Sequence, residues 1–114
     1  MNALELARSI VNALEEKKGE DILLLDLKEI ATFTDYFVLC NGTSDRMLDA
    51  LAKTVVGEMR AQYKKKGRLE GESRDGWLVV DYGDVVVHLF SPDQRAYYQL
   101  EELWSEGKVL LRLQ

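Results

Sequence analysis

Two runs of β-branched and aromatic residues, joined by Gly83 and Asp84, predict a β-hairpin over residues 77–90. A two-residue connection that contains glycine is typical of the tight turns between antiparallel strands. If Tyr82 pairs with Val85, the register of both strands is fixed. This pattern constrains the fold more than any other in the chain, because any sheet that forms must contain an antiparallel pair here.

Side chains alternate along a strand, so the two faces of this hairpin differ in character. One face carries a set that is ordinary for a core: Leu78, Val80, Tyr82, Val85, Val87 and Leu89. The other face carries Trp77, Val79, Asp81, Val86, His88 and Phe90. Aromatic rings mixed with a carboxylate and an imidazole favour a surface that contacts a partner, since an unpaired carboxylate is costly to bury. The alternative is a second core layer under a helix, with Asp81 and His88 hydrogen-bonded across the strands.

The chain before the hairpin alternates between helix and strand signals. Asn2, with Glu5 three residues later, forms a capping pair that predicts a helix over residues 3–17. Dense apolar runs at residues 21–27 and 36–40 predict two strands in the centre of a sheet rather than at its edge.

A second helix follows, with its cap at residues 43–44, and it fades at residues 64–67. After the hairpin, a third helix begins at Pro92 and stops near Gly107. Residues 109–113 form a final strand or an ordered tail. This order of elements predicts a small α/β domain with a mixed sheet and flanking helices.

Length and composition narrow the class of protein. A chain of 114 residues is expected to form one domain, over residues 1–114. Cys40 is the only cysteine, which excludes an intrachain disulfide and favours a cytoplasmic or organellar protein over a secreted one. The longest apolar runs fall far short of the ~20 residues of a membrane-spanning helix, so no membrane partner is expected.

The charge balance indicates the kind of partner. The chain has 15 basic and 20 acidic residues and a net charge of −5. This balance opposes an electrostatic grip on bare nucleic acid and favours a basic partner. No direct, sequence-specific contact with nucleic acid is therefore expected. Residues 64–66 and Arg68 form a local basic run, which is typical of the solvated end of a helix.

Candidate catalytic groups do not combine into a convincing site. Cys40 or Ser44 could pair with His88 as nucleophile and base, but Cys40 lies in an apolar strand and Ser44 is suited to cap a helix. Asp81 and Asp84 flank a turn, whereas nucleotidyl transfer uses two carboxylates one residue apart on a strand to hold Mg²⁺. His88 is the only histidine, which argues against a metal site. The chain is therefore expected to be no enzyme and to use no cofactor.

Ordered motifs along nearly the whole chain carry a resemblance to a known family. They are DYFVL at residues 35–39, GTSDR at 42–46, EG at 70–71, GW at 76–77, DYGDVVVH at 81–88, RAYY at 95–98 and LW at 103–104. In this combination the chain resembles the ribosomal silencing factor family, also called RsfS or iojap-like. The resemblance implies a fold related to that of nucleotidyltransferases, without their catalytic carboxylates.

The resemblance also implies a function and a partner. It implies binding to large-subunit ribosomal protein L-fourteen, so that the small subunit cannot join and translation is repressed when nutrients are limiting. The residues expected at this contact are Glu70, Trp77, Asp81, Tyr82, His88 and Phe90. Trp77 and Phe90 are expected to anchor the interface, with Glu70 near its rim and Tyr82 at the hairpin tip.

Two other functions stay open at this point. One is an assembly factor that docks on the large subunit without silencing it, and the other is a nucleotide-using enzyme on the related fold. The absent carboxylate pair argues against the enzyme, but an assembly factor would use the same contact surface. The sequence also leaves open whether the free protein forms a homodimer through this hairpin face.

Overall fold

One mixed sheet forms the centre of the protein. The computed structural model describes residues 2–114. Within them the strands, in chain order, are β1 (Glu20–Asp26), β2 (Tyr36–Asn41), β3 (Arg68–Glu72), β4 (Trp77–Asp81), β5 (Val85–Phe90) and β6 (Lys108–Leu113). Their spatial order is β3-β4-β5-β2-β1-β6, with β2 and β5 parallel and the other neighbours antiparallel. The mixed α/β fold and the central places of β1 and β2 are confirmed.

The hairpin of β4 and β5 has the register that its turn predicts. The backbone N–H of Tyr82 donates to the carbonyl of Val85 at 2.9 Å. Trp77 consequently lies opposite Phe90 at the far end of the hairpin. The division of the hairpin into two faces therefore follows the predicted alternation.

The helices are α1 (Ala3–Glu16), α2 (Asp45–Tyr63), α3 (Pro92–Tyr98) and α4 (Leu100–Leu103). The predicted caps are present: the side chain of Asn2 accepts from Glu5 N–H, and that of Ser44 accepts from Met47 N–H. The buried stripes of α1 and α2 pack on one sheet face, around a core that includes Val87. The buried side chains of these two helices cover this face of the sheet.

The opposite sheet face has a smaller core and a less complete cover. Its buried residues are Leu23, Leu25, Leu27, Phe37, Leu39, Val86 and Phe90. Partly buried side chains close its margins, among them Ile30, Leu100 and Trp104. Because only short segments cover this face, part of its aromatic surface reaches solvent.

Two features of the fold differ from the prediction. The strand β3 was not predicted, because all five of its residues are exposed and leave no apolar alternation in the sequence. The predicted third helix is broken at Gln99, whose φ of 51° is left-handed, so α3 and α4 are separate. The break brings Glu101 back against Arg95 at 3.2 Å, although residues six apart on a continuous helix face different directions.

Residues 2–114 contain no helix with the length and apolar character needed to cross a membrane.

Candidate partner-binding face

An aromatic cluster reaches the surface on the sheet face opposite α1 and α2. Trp77 stacks on Phe90 with 5.0 Å between ring centroids, and it lies 4.4 Å from Tyr98. Trp77 is half-buried and Tyr98 is 44% exposed, whereas Phe90 is fully buried beneath them. Two aromatic rings are thus held at the surface by a third ring that belongs to the core.

Acidic side chains lie beside this cluster on β3 and β4. Glu72 lies directly opposite Trp77 on the neighbouring strand, and Glu70 lies two residues further along β3. Directly opposed residues project to the same side of a sheet, so these carboxylates share the face of Trp77 and Asp81. We call Glu70, Glu72, Trp77, Asp81 and Tyr98 the aromatic–acidic face.

The glutamates of this face are in ion pairs that a partner can replace. Glu70 pairs with Arg68 at 3.0 Å, and Glu72 pairs with Arg74 at 2.8 Å. In each pair both side chains are more than half exposed, so the pairs contribute little to stability. Both carboxylates are therefore available to a basic partner without a large cost to the fold.

The prediction that Phe90 and His88 lie at a contact surface is wrong. Phe90 is 0% exposed and His88 is 7% exposed. Trp77 and Tyr98 cover Phe90, and the ring of Phe37 packs edge-on against His88 with 4.6 Å between centroids. This part of the hairpin is a second core layer, as the alternative interpretation held.

The alternative interpretation predicted a hydrogen bond between Asp81 and His88, and the hydrogen bonds of this layer differ from that prediction. Asp81 accepts from the backbone N–H of Gly83 at 2.7 Å, within the turn. His88 is bonded to Trp77 instead, because the indole Nε1–H donates to His88 Nδ1 at 3.2 Å. Asp81 is half-buried and stays on the aromatic–acidic face.

His88 is held as a neutral imidazole. A ring that accepts at Nδ1 carries its proton on Nε2, and this Nε2 is buried without a hydrogen-bond partner in the described part of the chain. Burial lowers the pKa of His88 to about 4, and the Asp81 carboxylate opposes part of that shift. The imidazole is therefore uncharged at neutral pH and serves as an acceptor.

Tyr82 lies on the other side of the sheet, as the alternation predicts. Its hydroxyl donates to the carbonyl of Val55 in α2 at 3.5 Å, and its ring packs against the larger core. Burial raises the pKa of Tyr82 to about 12. Tyr82 therefore lies on the opposite side of the sheet from Trp77, and its contact with a partner from the hairpin tip stays a prediction.

Sequence reasoning missed the extent of the aromatic cluster. Beyond His88 it continues through Phe37 to Phe33 and Trp104, with centroid separations of 6.0 and 6.1 Å from Phe37. These rings come from separate segments, so no periodicity links them. One sequence signal indicated an exposed aromatic ring here. Tyr97 and Tyr98 are adjacent in a helix, and adjacent helical side chains cannot both face the sheet.

A buried ion-pair network anchors the helices beside Tyr98. Arg95 is 5% exposed, and its Nη1 donates to the carbonyl of Asp21 at 2.5 Å and to Asn41 Oδ1 at 2.9 Å. Its Nε donates to Glu101 Oε1 at 3.2 Å. Arg95 thereby ties α3 and α4 to the start of β1 and the end of β2. The sequence pattern assigned no role to this residue, because a buried charge leaves no periodic signal.

The candidate catalytic residues have structural roles. Cys40 is fully buried, and burial raises the pKa of its thiol to about 12. Ser44 is the cap of α2 and accepts from Met47 N–H at 3.1 Å. Among residues 2–114, no group of three His, Cys, Asp or Glu side chains is placed to hold a metal ion. The aromatic–acidic face is therefore the principal candidate for function.

Comparisons with known proteins agree on one family. A family model described as "Ribosomal silencing factor during starvation" matches residues 1–113. The chain is 40% identical over 110 residues to "Ribosomal silencing factor RsfS" of Halalkalibacterium halodurans, over 96% of this chain and 94% of that protein. A Chromobacterium violaceum protein of known crystal structure has the same fold, with a TM-score of 0.87 and 34% identity over 92% of this chain and 88% of that one. The mouse protein "Mitochondrial assembly of ribosomal large subunit protein 1" is 34% identical over 99 residues, 84% of this chain and 43% of that protein.

Proposed function

Because this chain belongs to the ribosomal silencing factor family, we propose that it binds ribosomal protein L-fourteen on the large ribosomal subunit and blocks the joining of the small subunit. Translation is thereby repressed when nutrients are limiting. In this proposal the protein acts in the cytoplasm by occupying a surface, and it catalyses no reaction.

The observation that carries the proposal is the aromatic–acidic face. Trp77 and Tyr98 offer apolar area at the surface, and Glu70, Glu72 and Asp81 lie beside that area along β3 and β4. The two glutamates are in exposed ion pairs with arginines that a basic partner can replace. Tryptophan and tyrosine are enriched in protein interfaces, and complementary charge at the rim speeds and orients association. A basic ribosomal protein suits this face, and the net charge of −5 of the whole chain also favours a basic partner.

Trp77 is the proposed energetic centre of the contact. Its indole is half-buried before binding, so a partner needs to cover only its remaining exposed edge. Truncation of a tryptophan at such a position typically costs ~2 kcal/mol or more, or roughly a thirtyfold loss of affinity. Rim carboxylates typically contribute much less, and their contribution falls with added salt.

A binding titration against isolated ribosomal protein L-fourteen tests the proposed face. Trp77→Ala should weaken binding by roughly thirtyfold in the folded fraction, with folding checked by a thermal melt because Trp77 also packs on Phe90. The double substitution Glu70→Lys with Glu72→Lys should weaken binding in a salt-dependent way without unfolding the protein.

Glu15→Lys with Glu16→Lys is the matched control. It makes the same charge change at exposed positions at the end of α1, on the other side of the sheet. Its affinity should stay close to that of the wild type. Equal losses in the two double variants would show that net charge alone governs binding and would refute the proposed face.

A role in large-subunit assembly is the second candidate. The name of the mouse relative favours it, since that protein is described as acting in assembly of the mitochondrial large subunit. An assembly factor would also bind the large subunit, but mature subunits would then join normally in its presence. The two functions are therefore separated by a joining assay rather than by a binding assay.

A further inference from the structure

We propose that His88 is a positioning residue for Trp77, which holds the indole in the orientation that meets the partner. This inference deepens the proposed function and rests on it. With 7% of its surface exposed, His88 itself does not touch a partner. Its contribution passes through the hydrogen bond from Trp77 Nε1–H to His88 Nδ1 at 3.2 Å.

The imidazole is a fixed acceptor because its neighbours hold its plane. Phe37 packs edge-on against it, with 4.6 Å between centroids and 70° between planes. Phe90 lies nearly parallel to it, with 6.0 Å between centroids and 10° between planes. A ring confined in this way presents Nδ1 at one place beneath the surface, so the indole N–H has one defined partner.

An apolar side chain would fill this position at lower cost to the fold. The Nε2–H of His88 is buried and lacks a partner in the described part of the chain, and an unpaired buried donor destabilises a protein. A leucine would carry no such penalty. The property that histidine adds here is the acceptor that faces Trp77.

The hydrogen bond determines which edge of the indole faces solvent. Trp77 packs against Phe90 and Tyr98, but these ring contacts alone permit the indole to turn about its side-chain bonds. Without an internal acceptor, the N–H edge is drawn to water, and the apolar edge is no longer held outward. The partner must then reorder the ring on binding, which typically weakens a complex by about two- to tenfold.

Two substitutions separate the acceptor from the bulk of the side chain. His88→Asn places a carbonyl oxygen where Nδ1 stood, and His88→Leu fills the site without an acceptor. In the free protein, the NMR signal of the Trp77 indole N–H should keep its shift and its slow solvent exchange in His88→Asn and lose both in His88→Leu. The indole of Trp104 is an internal reference, because it has no bond to His88.

Affinity for large ribosomal subunits completes the test. His88→Leu should bind about five- to tenfold more weakly than the wild type, and His88→Asn should recover most of that loss. In a Trp77→Phe background, which lacks the indole donor, His88→Leu should change affinity less than twofold. A merely structural role for His88 predicts the same loss in both backgrounds, and that result would overturn the inference.

The positioning role and the proposed function fail in different ways. If wild-type protein does not bind large subunits, the proposed function is wrong, while the indole signal of the free protein still decides whether His88 positions Trp77. If binding is strong but the indole signal in His88→Leu matches that of the wild type, the positioning role is wrong and the proposed function stands.

Discussion

Lowering the pH from 7.5 to 5 should destabilise the folded protein through His88. In the unfolded chain the imidazole has its ordinary pKa of 6.5, and in the fold burial lowers that pKa to about 4, with Asp81 opposing part of the shift. As the pH falls, the unfolded state therefore takes up a proton before the folded state does. The stability that depends on a neutral His88 is complete above pH 6.5 and is lost as the pH falls towards 4.

The size of this effect follows from the separation of the two pKa values. Each unit of separation is worth about 1.4 kcal/mol. The loss is therefore about 2 kcal/mol at pH 5 and about 3 kcal/mol at pH 4. For a domain whose total stability is typically ~5 to 15 kcal/mol, this is a substantial fraction.

Urea unfolding of the wild type and of His88→Asn, at several pH values between 7.5 and 5, measures the effect. The variant does not titrate at this position, so the carboxylates that titrate in both proteins cancel in the difference. With a slope of about 1 to 3 kcal/mol per molar urea, the wild-type midpoint should fall by roughly 1 M more than that of the variant. Parallel pH dependences would show that His88 is not held neutral by burial and would refute the reasoning.

Two further substitutions test other parts of the fold. Arg95→Met should destabilise the protein by about 2 to 3 kcal/mol and lower its melting temperature by roughly 10 °C. The substitution removes the buried partner of the Asp21 and Glu101 carboxylates. A shift of only a degree or two would contradict a structural role for the network. Gly71→Ala should cost at least about 1 to 2 kcal/mol, because Gly71 has a φ of 94° and an added Cβ would lie 2.5 Å from the carbonyl oxygen of Trp77. Gly57→Ala is the matched control within α2, because an added Cβ there meets open space. It should raise stability by about 0.5 to 1 kcal/mol. Equal effects of Gly71→Ala and Gly57→Ala in denaturant titrations would contradict this explanation.

Local signals predicted most of the fold. The caps at Asn2 and Ser44, and the hairpin register at Tyr82 and Val85, depend on residues that are near each other in sequence. The mixed sheet followed from the order of these elements. The strand β3 was missed because its stability comes from pairing with β4, and its exposed residues carry no apolar pattern.

The candidate site was only partly predictable, because burial on the second sheet face depends on distant segments. The alternation correctly placed Trp77 and Asp81 on one face, but it could not show that Tyr98 would cover Phe90. Nor could it show that Phe37, from a neighbouring parallel strand, would pack against His88. Composition and alternation predict the faces of one hairpin, whereas the exposure of its side chains depends on which other segments of the chain pack against it.

Subunit joining is the most direct test of the proposed function. Purified large and small ribosomal subunits are mixed under associating conditions, with and without a saturating amount of the protein, and whole ribosomes are separated from free subunits on a sucrose gradient. The account predicts that the wild-type protein sediments with free large subunits and reduces the whole-ribosome peak, and that Trp77→Ala at the same concentration leaves that peak larger. An undiminished whole-ribosome peak with the wild-type protein bound to large subunits would contradict silencing and would favour the role in assembly.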